Sequence, residues 1–127
     1  MQGLNGRVIL VGGAASGIGA ATVRRLHEAG ARVAVADLDL AGAEQLVAAL
    51  GGPGAGLKAF RYDQGDADST AGMVEAVCRH FGHLDGALAN AANLTAILRD
   101  GDLLSTDDAV WRDTFQVNLE GTVALFR

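Results

Sequence analysis

Residues Gly12–Gly19 read Gly-Gly-Ala-Ala-Ser-Gly-Ile-Gly and decide the fold class. They follow the β-branched run Arg7–Val11, which predicts a buried strand, and they lead into Gly17–Ala29, which has helical spacing. A turn between a strand and a helix directs backbone N–H groups and the positive end of the helix dipole at one point. Glycine permits the tight turn and the close approach of a phosphate. The stretch therefore predicts a pyrophosphate site, although a helix packed tightly on a strand would have the same spacing.

Short apolar runs alternate with longer amphipathic ones along the rest of the chain, which is the pattern of βαβ units and a parallel sheet. Further strands are predicted at Arg32–Ala36, Lys58–Tyr62 and Leu84–Ala89. Further helices are predicted at Leu40–Leu50, from about Ser69 to Phe81 with Asp68 or Ser69 as its cap, and from Ser105 onward, with a loop at Asn93–Asp102. We expect an α/β fold of the Rossmann type, a doubly wound parallel sheet, in one domain over residues 1–127.

Composition excludes several classes of protein. Of 127 residues, 50% are hydrophobic and 20% are charged, which suits a compact domain and argues against disorder. A net charge of −5 disfavours nucleic acid or an anionic membrane as a partner. Cys78 is the single cysteine, so it forms no intrachain disulfide, and no Cys/His spacing predicts a metal site. The run Val8–Val11 is too short to span a bilayer and Met1–Gly6 lacks the basic region of a signal peptide, so we expect a soluble cytoplasmic protein.

An acidic residue, Asp37, follows the second predicted strand. In dinucleotide-binding βαβ units, an acid about 20 residues downstream of the glycine-rich turn reaches the adenosine ribose hydroxyls. A carboxylate there accepts the hydroxyl hydrogens and repels a 2′-phosphate, so the sequence predicts NAD in preference to NADP. The alternative is that Asp37 only caps the next helix, a role that Asp39 also suits.

Four segments in order resemble the classical short-chain dehydrogenase/reductase family. Gly12–Gly19 matches its pattern Thr-Gly-x-x-x-Gly-[Ile/Leu]-Gly, with Gly12 in place of Thr. Tyr62–Gln64 resembles the end of the family's third strand, and Ala89–Ala92 resembles Asn-Asn-Ala-Gly, with Ala in place of the first Asn and of the Gly. Phe115–Thr122 resembles the helix segment that carries the family's conserved Asn. The resemblance implies a truncated Rossmann sheet of order 3-2-1-4, a homo-oligomer, and NAD(P)-dependent oxidation or reduction of a small alcohol or carbonyl substrate.

The resemblance also implies roles for individual residues. The turn residues Gly13, Ser16, Gly17, Ile18 and Gly19 would hold the pyrophosphate; Asp37 and Leu38 the adenosine ribose; Asp63, with Gln64 beside it, the adenine; and Asn90, Ala91 and Ala92 the nicotinamide side. Asn118 would be catalytic, holding a water of a proton relay. Structural alternatives stay open, since Asp63 and Asn90 suit turns and a helical Asn such as Asn118 often bonds to backbone.

The family's chemistry needs a Tyr, a Lys four residues later, and a Ser that positions the substrate. Tyr62 is the only tyrosine here, and no Tyr-x-x-x-Lys occurs. We therefore expect a cofactor-binding half, C-terminally incomplete, that is inactive by itself. Two alternatives remain: a non-catalytic dinucleotide-binding or interaction module of natural short length, and a fragment too incomplete to bind anything.

Overall fold

The computed structural model describes residues 3–99, 101–102 and 104–127. Its strands are β1 (Val8–Gly12), β2 (Arg32–Asp37), β3 (Leu57–Arg61) and β4 (Gly86–Ala89). Its helices are α1 (Gly17–Glu28), α2 (Leu40–Ala49), α3 (Ala67–Phe81), α4 (Asp108–Phe115) and α5 (Gly121–Leu125). Short 3₁₀ turns lie at Pro53–Ala55 and Leu94–Leu98, and a π-helical segment, Gln116–Glu120, joins α4 to α5.

The four strands form one parallel sheet in the order β3-β2-β1-β4, which confirms the predicted order. Leu10 at the centre of β1 pairs with Ala34 of β2 on one side and with Ala87 of β4 on the other. The chain therefore builds outward from β1 to β3 and then returns to place β4 on the opposite side of β1. Ligands of open parallel sheets bind at the carboxyl ends of the strands, where the strand order reverses in this way.

Helices cover both faces of the sheet, as the β-branched strands predict. Alternate residues of β2 illustrate the two faces: Ala34 belongs to the buried cluster that contains Val77 of α3. Val35 belongs to the cluster that contains Val23 of α1 and Val47 of α2. Full burial of one such valine side chain contributes about 1.5–3 kcal/mol. The doubly wound α/β fold class is confirmed.

The strand and helix boundaries differ slightly from the prediction. β1 and β3 are each shifted by one residue, and α1 and α2 each end one residue earlier than expected. β4 begins at Gly86 rather than Leu84, and the carboxylate of the preceding Asp85 accepts the backbone N–H of Val8 at 2.8 Å. That bond, followed by the bond from Arg7, lowers the pKa of Asp85.

The predicted cap of α3 is wrong. The helix begins at Ala67, and its cap is Asp66 rather than Asp68 or Ser69. The Asp66 carboxylate accepts the backbone N–H groups of both residues that were expected to cap the helix. The Ser69 hydroxyl is engaged elsewhere, since it accepts the backbone N–H of Asp63 at 2.9 Å.

The last helix begins at Asp108 rather than at Ser105. Its cap is Asp107, whose carboxylate accepts the backbone N–H of Ala109 at 2.8 Å. Ser105 belongs to the preceding turn, where Asp102 accepts its backbone N–H at 2.8 Å. The helical structure ends at Leu125, with Phe126 as its C-cap, although helical spacing predicted that it continues to Arg127.

One further expectation needs correction. The segment predicted as a loop, Asn93–Asp102, contains the 3₁₀ turn Leu94–Leu98, which the Asn93 side chain caps; Asp100 lies outside the described residues. Trp111 is 42% exposed in this chain and stacks against Phe115 with ring centroids 6.1 Å apart. None of the described helices is long and apolar enough to cross a bilayer.

Candidate functional site

The residues predicted to bind the cofactor meet in one cleft at the carboxyl ends of the strands. Its volume is about 710 Å³, within the range of small-molecule sites. Its lining includes every predicted cofactor-binding residue except Gly19, namely Gly13, Ser16, Gly17, Ile18, Asp37, Leu38, Asp63, Gln64, Asn90, Ala91 and Ala92. Gly19 is buried in the first turn of α1. These predicted residues are up to 79 positions apart in the sequence.

Three glycines shape the turn between β1 and α1 in different ways. A Cβ on Gly13, whose φ is +71°, would lie 2.7 Å from the backbone nitrogen of Ala91. A Cβ on Gly19 would overlap the carbonyl oxygen of Gly13. A Cβ on Gly17, at φ +52°, would meet no protein atom within 4 Å. The first two glycines are therefore required by backbone packing, whereas the third is favoured by its positive φ.

The N-terminus of α1 opens into the cleft without a side-chain cap. Ser16 is its N-cap residue, yet the side chain makes no capping hydrogen bond and no acidic residue occupies the first turn. The first N–H groups of a helix have no intrahelical acceptor and carry the positive end of its dipole. Ile18 is 75% exposed and also lines the cleft, rather than joining the core. The arrangement suits an anion such as a phosphate.

Asp37 connects the end of β2 to the glycine-rich turn. One carboxylate oxygen accepts the backbone N–H of Ala15 at 2.8 Å, and the other accepts that of Asp39 at 2.9 Å. The helix cap is Asp39, which accepts the backbone N–H of Gly42, so the interpretation of Asp37 as a mere cap is wrong. Each carboxylate oxygen can accept a second hydrogen bond. Asp37 thus retains the capacity to bind two hydroxyl groups at the rim of the cleft.

Asp63 and Asn90 make the structural contacts that the sequence left open as alternatives. The Asp63 carboxylate accepts the backbone N–H of Gly65 at 2.8 Å, which stabilises the turn after β3. The Asn90 side-chain amide donates to the carbonyl oxygen of Gly13 at 3.1 Å, which ties the end of β4 to the glycine-rich turn. Both side chains line the cleft, and their roles toward a cofactor stay predictions.

Asn118 lies in the π-helical segment, at the edge of this arrangement. Its side chain is exposed, and its Oδ1 accepts the backbone N–H of Asn93 at 2.8 Å. Asn93 itself lines the cleft. The bond to backbone is the one expected of a helical Asn, and the catalytic role of Asn118 stays a prediction.

Sequence reasoning missed Tyr62 as part of the cleft lining. The side chain is 1% exposed, and its hydroxyl donates to Oε1 of Gln64 at 3.0 Å. Burial, followed by the charge of Asp37, raises the pKa of Tyr62 to about 12. A Cβ on Gly12 would overlap the Tyr62 hydroxyl, which explains why glycine stands where the family pattern has Thr. Gly12 in place of Thr was the one sequence signal that could have pointed to Tyr62. Four other lining residues were also missed: Asn93, Leu94, Thr95 and Val117.

Metal-ligating side chains do not gather at the cleft. No group of three or more His, Cys, Asp or Glu residues within the described ranges is arranged to hold a metal ion. His80 and His83 are exposed and His27 is half-buried. Cys78 is half-buried in α3.

Known proteins share both the sequence pattern and the fold. A family model described as short chain dehydrogenase matches residues 7–127. D-threitol dehydrogenase from Mycolicibacterium smegmatis is 44% identical over 119 residues, which are 94% of this chain and 44% of that protein. The 2,5-dichloro-2,5-cyclohexadiene-1,4-diol dehydrogenase from Sphingobium indicum is 39% identical over 96% of this chain and 46% of its own length. The chain therefore spans about half the length of these relatives.

A solved structure shows the same architecture. The short-chain dehydrogenase/reductase from Burkholderia phymatum, in complex with NAD, superimposes with a TM-score of 0.89 at 25% identity. The match covers 100% of this chain and 44% of that chain.

The packing of the turn predicts the effect of a single added methyl group. We expect Gly19→Ala to lower the free energy of unfolding by about 2 kcal/mol, because the new Cβ must displace the Gly13 carbonyl. The matched control is Gly72→Ala in α3, where a Cβ meets no atom within 4 Å, and we expect it to stabilise the chain by up to about 1 kcal/mol. Urea denaturation followed by circular dichroism measures both, and equal stabilities would contradict the packing argument.

Proposed function

Because this chain belongs to the short-chain dehydrogenase family, we propose that its cleft binds NAD as the cofactor-holding part of an enzyme that interconverts an alcohol and a carbonyl group. The observation that carries the proposal is the Asp37 carboxylate, held by the N–H of Ala15 beside an uncapped helix N-terminus. When bound, the nicotinamide would accept or supply a hydride. The residues of this chain would bind the cofactor and orient it for that transfer.

The glycine-rich turn would hold the pyrophosphate. Ser16, Gly17 and Ile18 all line the cleft at the start of α1, where unpaired N–H groups and the helix dipole favour negative charge. The open space above Gly17 supports this assignment, since a side chain there would occupy the cleft. Gly13 and Gly19 contribute indirectly, by letting the backbone of the turn pack closely enough to keep that shape.

The adenosine end would lie between β2 and β3. Asp37 would accept hydrogen bonds from the ribose hydroxyls, with the exposed Leu38 side chain beside it. Asp63 would bind the adenine, and its bond to the N–H of Gly65 keeps the carboxylate at the cleft. A second negative group close to Asp37 is unfavourable, which supports NAD over NADP.

The nicotinamide end would lie at the exit of β4. Asn90 and Ala91 form this wall, and Ala92 stands exposed where the family pattern has Gly. Asn118 would hold a water of the proton path, a role supported by its bond to Asn93 at the edge of the cleft. The two curated relatives are named for threitol and for a cyclohexadiene diol, which supports a small alcohol or carbonyl compound as substrate.

We also propose that residues 1–127 act as a single nucleotide-binding domain whose catalytic Tyr, Lys and Ser belong to another part of the protein. A cytoplasmic location stays a prediction of the composition and the single cysteine.

Removal of the Asp37 charge tests the NAD proposal. We expect Asp37→Ala to weaken NAD binding about tenfold or more, because hydrogen bonds to a charged group are lost, and to bring the affinities for NAD and NADP together. Isothermal titration calorimetry with each dinucleotide measures both affinities. The matched control is Asp39→Ala, which removes the cap of α2 at a cost of about 1 kcal/mol in stability but should leave the ratio of the two affinities unchanged. An unchanged ratio in Asp37→Ala would contradict the assignment.

The residues of this chain should not catalyse the reaction alone. Tyr62 is buried, its pKa is raised to about 12, and the residue four positions later is Asp66 rather than Lys. We expect the 127-residue chain to bind NAD. When small diols are added as substrates, we expect no increase in the absorbance of NADH. Measured turnover would overturn this expectation. A coding sequence that continues into Tyr-x-x-x-Lys supports the enzyme, whereas one that stops at Arg127, with NAD binding retained, favours the non-catalytic module.

A homo-oligomer is supported by exposed apolar side chains along α4, the π-helical segment and α5. Trp111, Phe115, Leu119 and Val123 are 42–54% exposed and follow one another at intervals of four residues. We expect light scattering after size exclusion to give more than one chain per particle, and Phe115→Glu to shift it toward the monomer. Leu98→Glu, at a side chain 90% exposed in another segment, is the matched control and should change nothing. A monomeric unsubstituted chain would count against the proposal.

A further inference from the structure

Gln64 is a buried polar side chain that the family resemblance places beside Asp63 at the adenine, but its hydrogen bonds run to Ala91 and to the π-helical segment. Only 4% of the residue is exposed. Its side-chain nitrogen donates to the carbonyl oxygen of Ala91 at 3.0 Å and to that of Val117 at 2.9 Å. Its side-chain oxygen accepts the hydroxyl of Tyr62 at 3.0 Å. Both amide hydrogens and one oxygen lone pair are thus used, which is nearly the full capacity of the group.

These bonds join three segments that are distant in the sequence. Gln64 follows β3, Ala91 follows β4 and is 27 residues away, and Val117 lies in the π-helical segment and is 53 residues away. Gly121 lets that helix approach, because a Cβ on it would overlap the carbonyl oxygen of Gln64. Gln64 is therefore a buried link between the exit of β4 and the segment that carries Asn118.

The chemistry of the pocket requires an amide. A leucine would fill the space but leave two carbonyl oxygens and one hydroxyl without their partners, each of which is costly when buried. An ionised glutamate would place a carboxylate oxygen against two carbonyl oxygens, and none of these three atoms can donate a hydrogen bond. The two carbonyl oxygens and the Tyr62 hydroxyl together fix the orientation of the amide, since the nitrogen must face the carbonyl groups and the hydroxyl donates to the oxygen on the other side. Gly12 makes room for that hydroxyl.

We propose that Gln64 is a positioning residue that holds the Ala91 wall of the cleft at a set distance from the π-helical segment. It thereby forms the nicotinamide end of the site in advance of binding. This inference rests on the proposed function, because it takes Ala91 as part of the nicotinamide end. At the adenosine end, Asp37 is held by Ala15 and Asp39, and Asp63 by Gly65, through bonds that do not involve the Gln64 side chain.

Binding of two ligands, NAD and ADP-ribose, distinguishes a positioning role of Gln64 from a general loss of structure. ADP-ribose carries the adenosine, pyrophosphate and second ribose of NAD but lacks the nicotinamide. In Gln64→Leu, we expect NAD to bind about tenfold more weakly, the fold-change for one buried polar group left unpaired, whereas the affinity for ADP-ribose stays within about twofold. A change in fold or stability alone would weaken both ligands equally.

Hydrogen exchange gives a readout that needs no ligand. The N–H of Asn93 donates to Asn118 across the same gap that Gln64 bridges. If Gln64 holds the two segments together, exchange at Asn93 should become faster in Gln64→Leu while exchange in β2 is unchanged.

The matched control is Gln116→Leu. Gln116 also donates its side-chain amide to a backbone carbonyl, that of Gly65 at 2.7 Å, but it is exposed and lies outside the cleft. We expect this variant to leave the ratio of the NAD and ADP-ribose affinities unchanged. Should Gln64→Leu fail to fold, Tyr62→Phe removes only the hydroxyl that orients the amide. We expect it to weaken NAD about threefold, less than one full hydrogen bond, without changing the affinity for ADP-ribose.

Two results would overturn the inference: equal weakening of both ligands, or no change in either, in the variants at positions 62 and 64. A different result would overturn the proposed function itself, namely that the unsubstituted chain binds neither NAD nor ADP-ribose. Binding of both ligands by the unsubstituted chain, with a ratio that shifts only in the variants of the Tyr62–Gln64 pair, supports both.

Discussion

The cleft depends on a close contact between two backbones, that of the turn after β1 and that of the residues after β4. Gly13 has no space for a side chain because Ala91 lies against it, and its carbonyl oxygen accepts the Asn90 amide at 3.1 Å. Gly19 packs on the same carbonyl group from the helix side. Protein interiors are packed too densely to absorb an extra methyl group at such a contact without a shift of the backbone. The turn after β1 and the residues after β4 must therefore keep a fixed position relative to each other.

Asp37 adds an electrostatic constraint to this packing. Its carboxylate lies at the end of a buried strand and accepts the N–H of Ala15, so it holds the turn against β2 as well as presenting negative charge to the cleft. The positive end of the α1 dipole lies close by and attracts an anion, while the carboxylate repels one. A ligand with a phosphate at one point and hydroxyl groups at the next satisfies both. Of the two, it is the carboxylate that opposes a phosphate at the position of the hydroxyl groups.

The sequence predicted the fold and most of the cleft because those features depend on local patterns. Strands buried on both faces appear as runs such as that of β2, and a glycine-rich turn followed by Asp37 marks the carboxyl ends of two of them. The helix caps were harder, since Asp63, Asp66 and Asp68 offer several candidates within six residues. No local sequence pattern predicted the π-helical segment. The bonds of Gln64 could not be predicted, because their partners lie 27 and 53 residues away.

Tyr62 shows how a departure from a family pattern can be explained by a distant residue. Gly12 alone reads as the loss of a threonine from the glycine-rich turn. In the structure, the space that a Cβ at this position would need is filled by the hydroxyl of Tyr62, which reaches it from the segment after β3. A side chain at position 12 and a tyrosine at position 62 exclude each other, so the two residues form one packing unit. Because the hydroxyl also orients Gln64, the glycine at position 12 is a requirement of the buried amide network rather than a weakened motif.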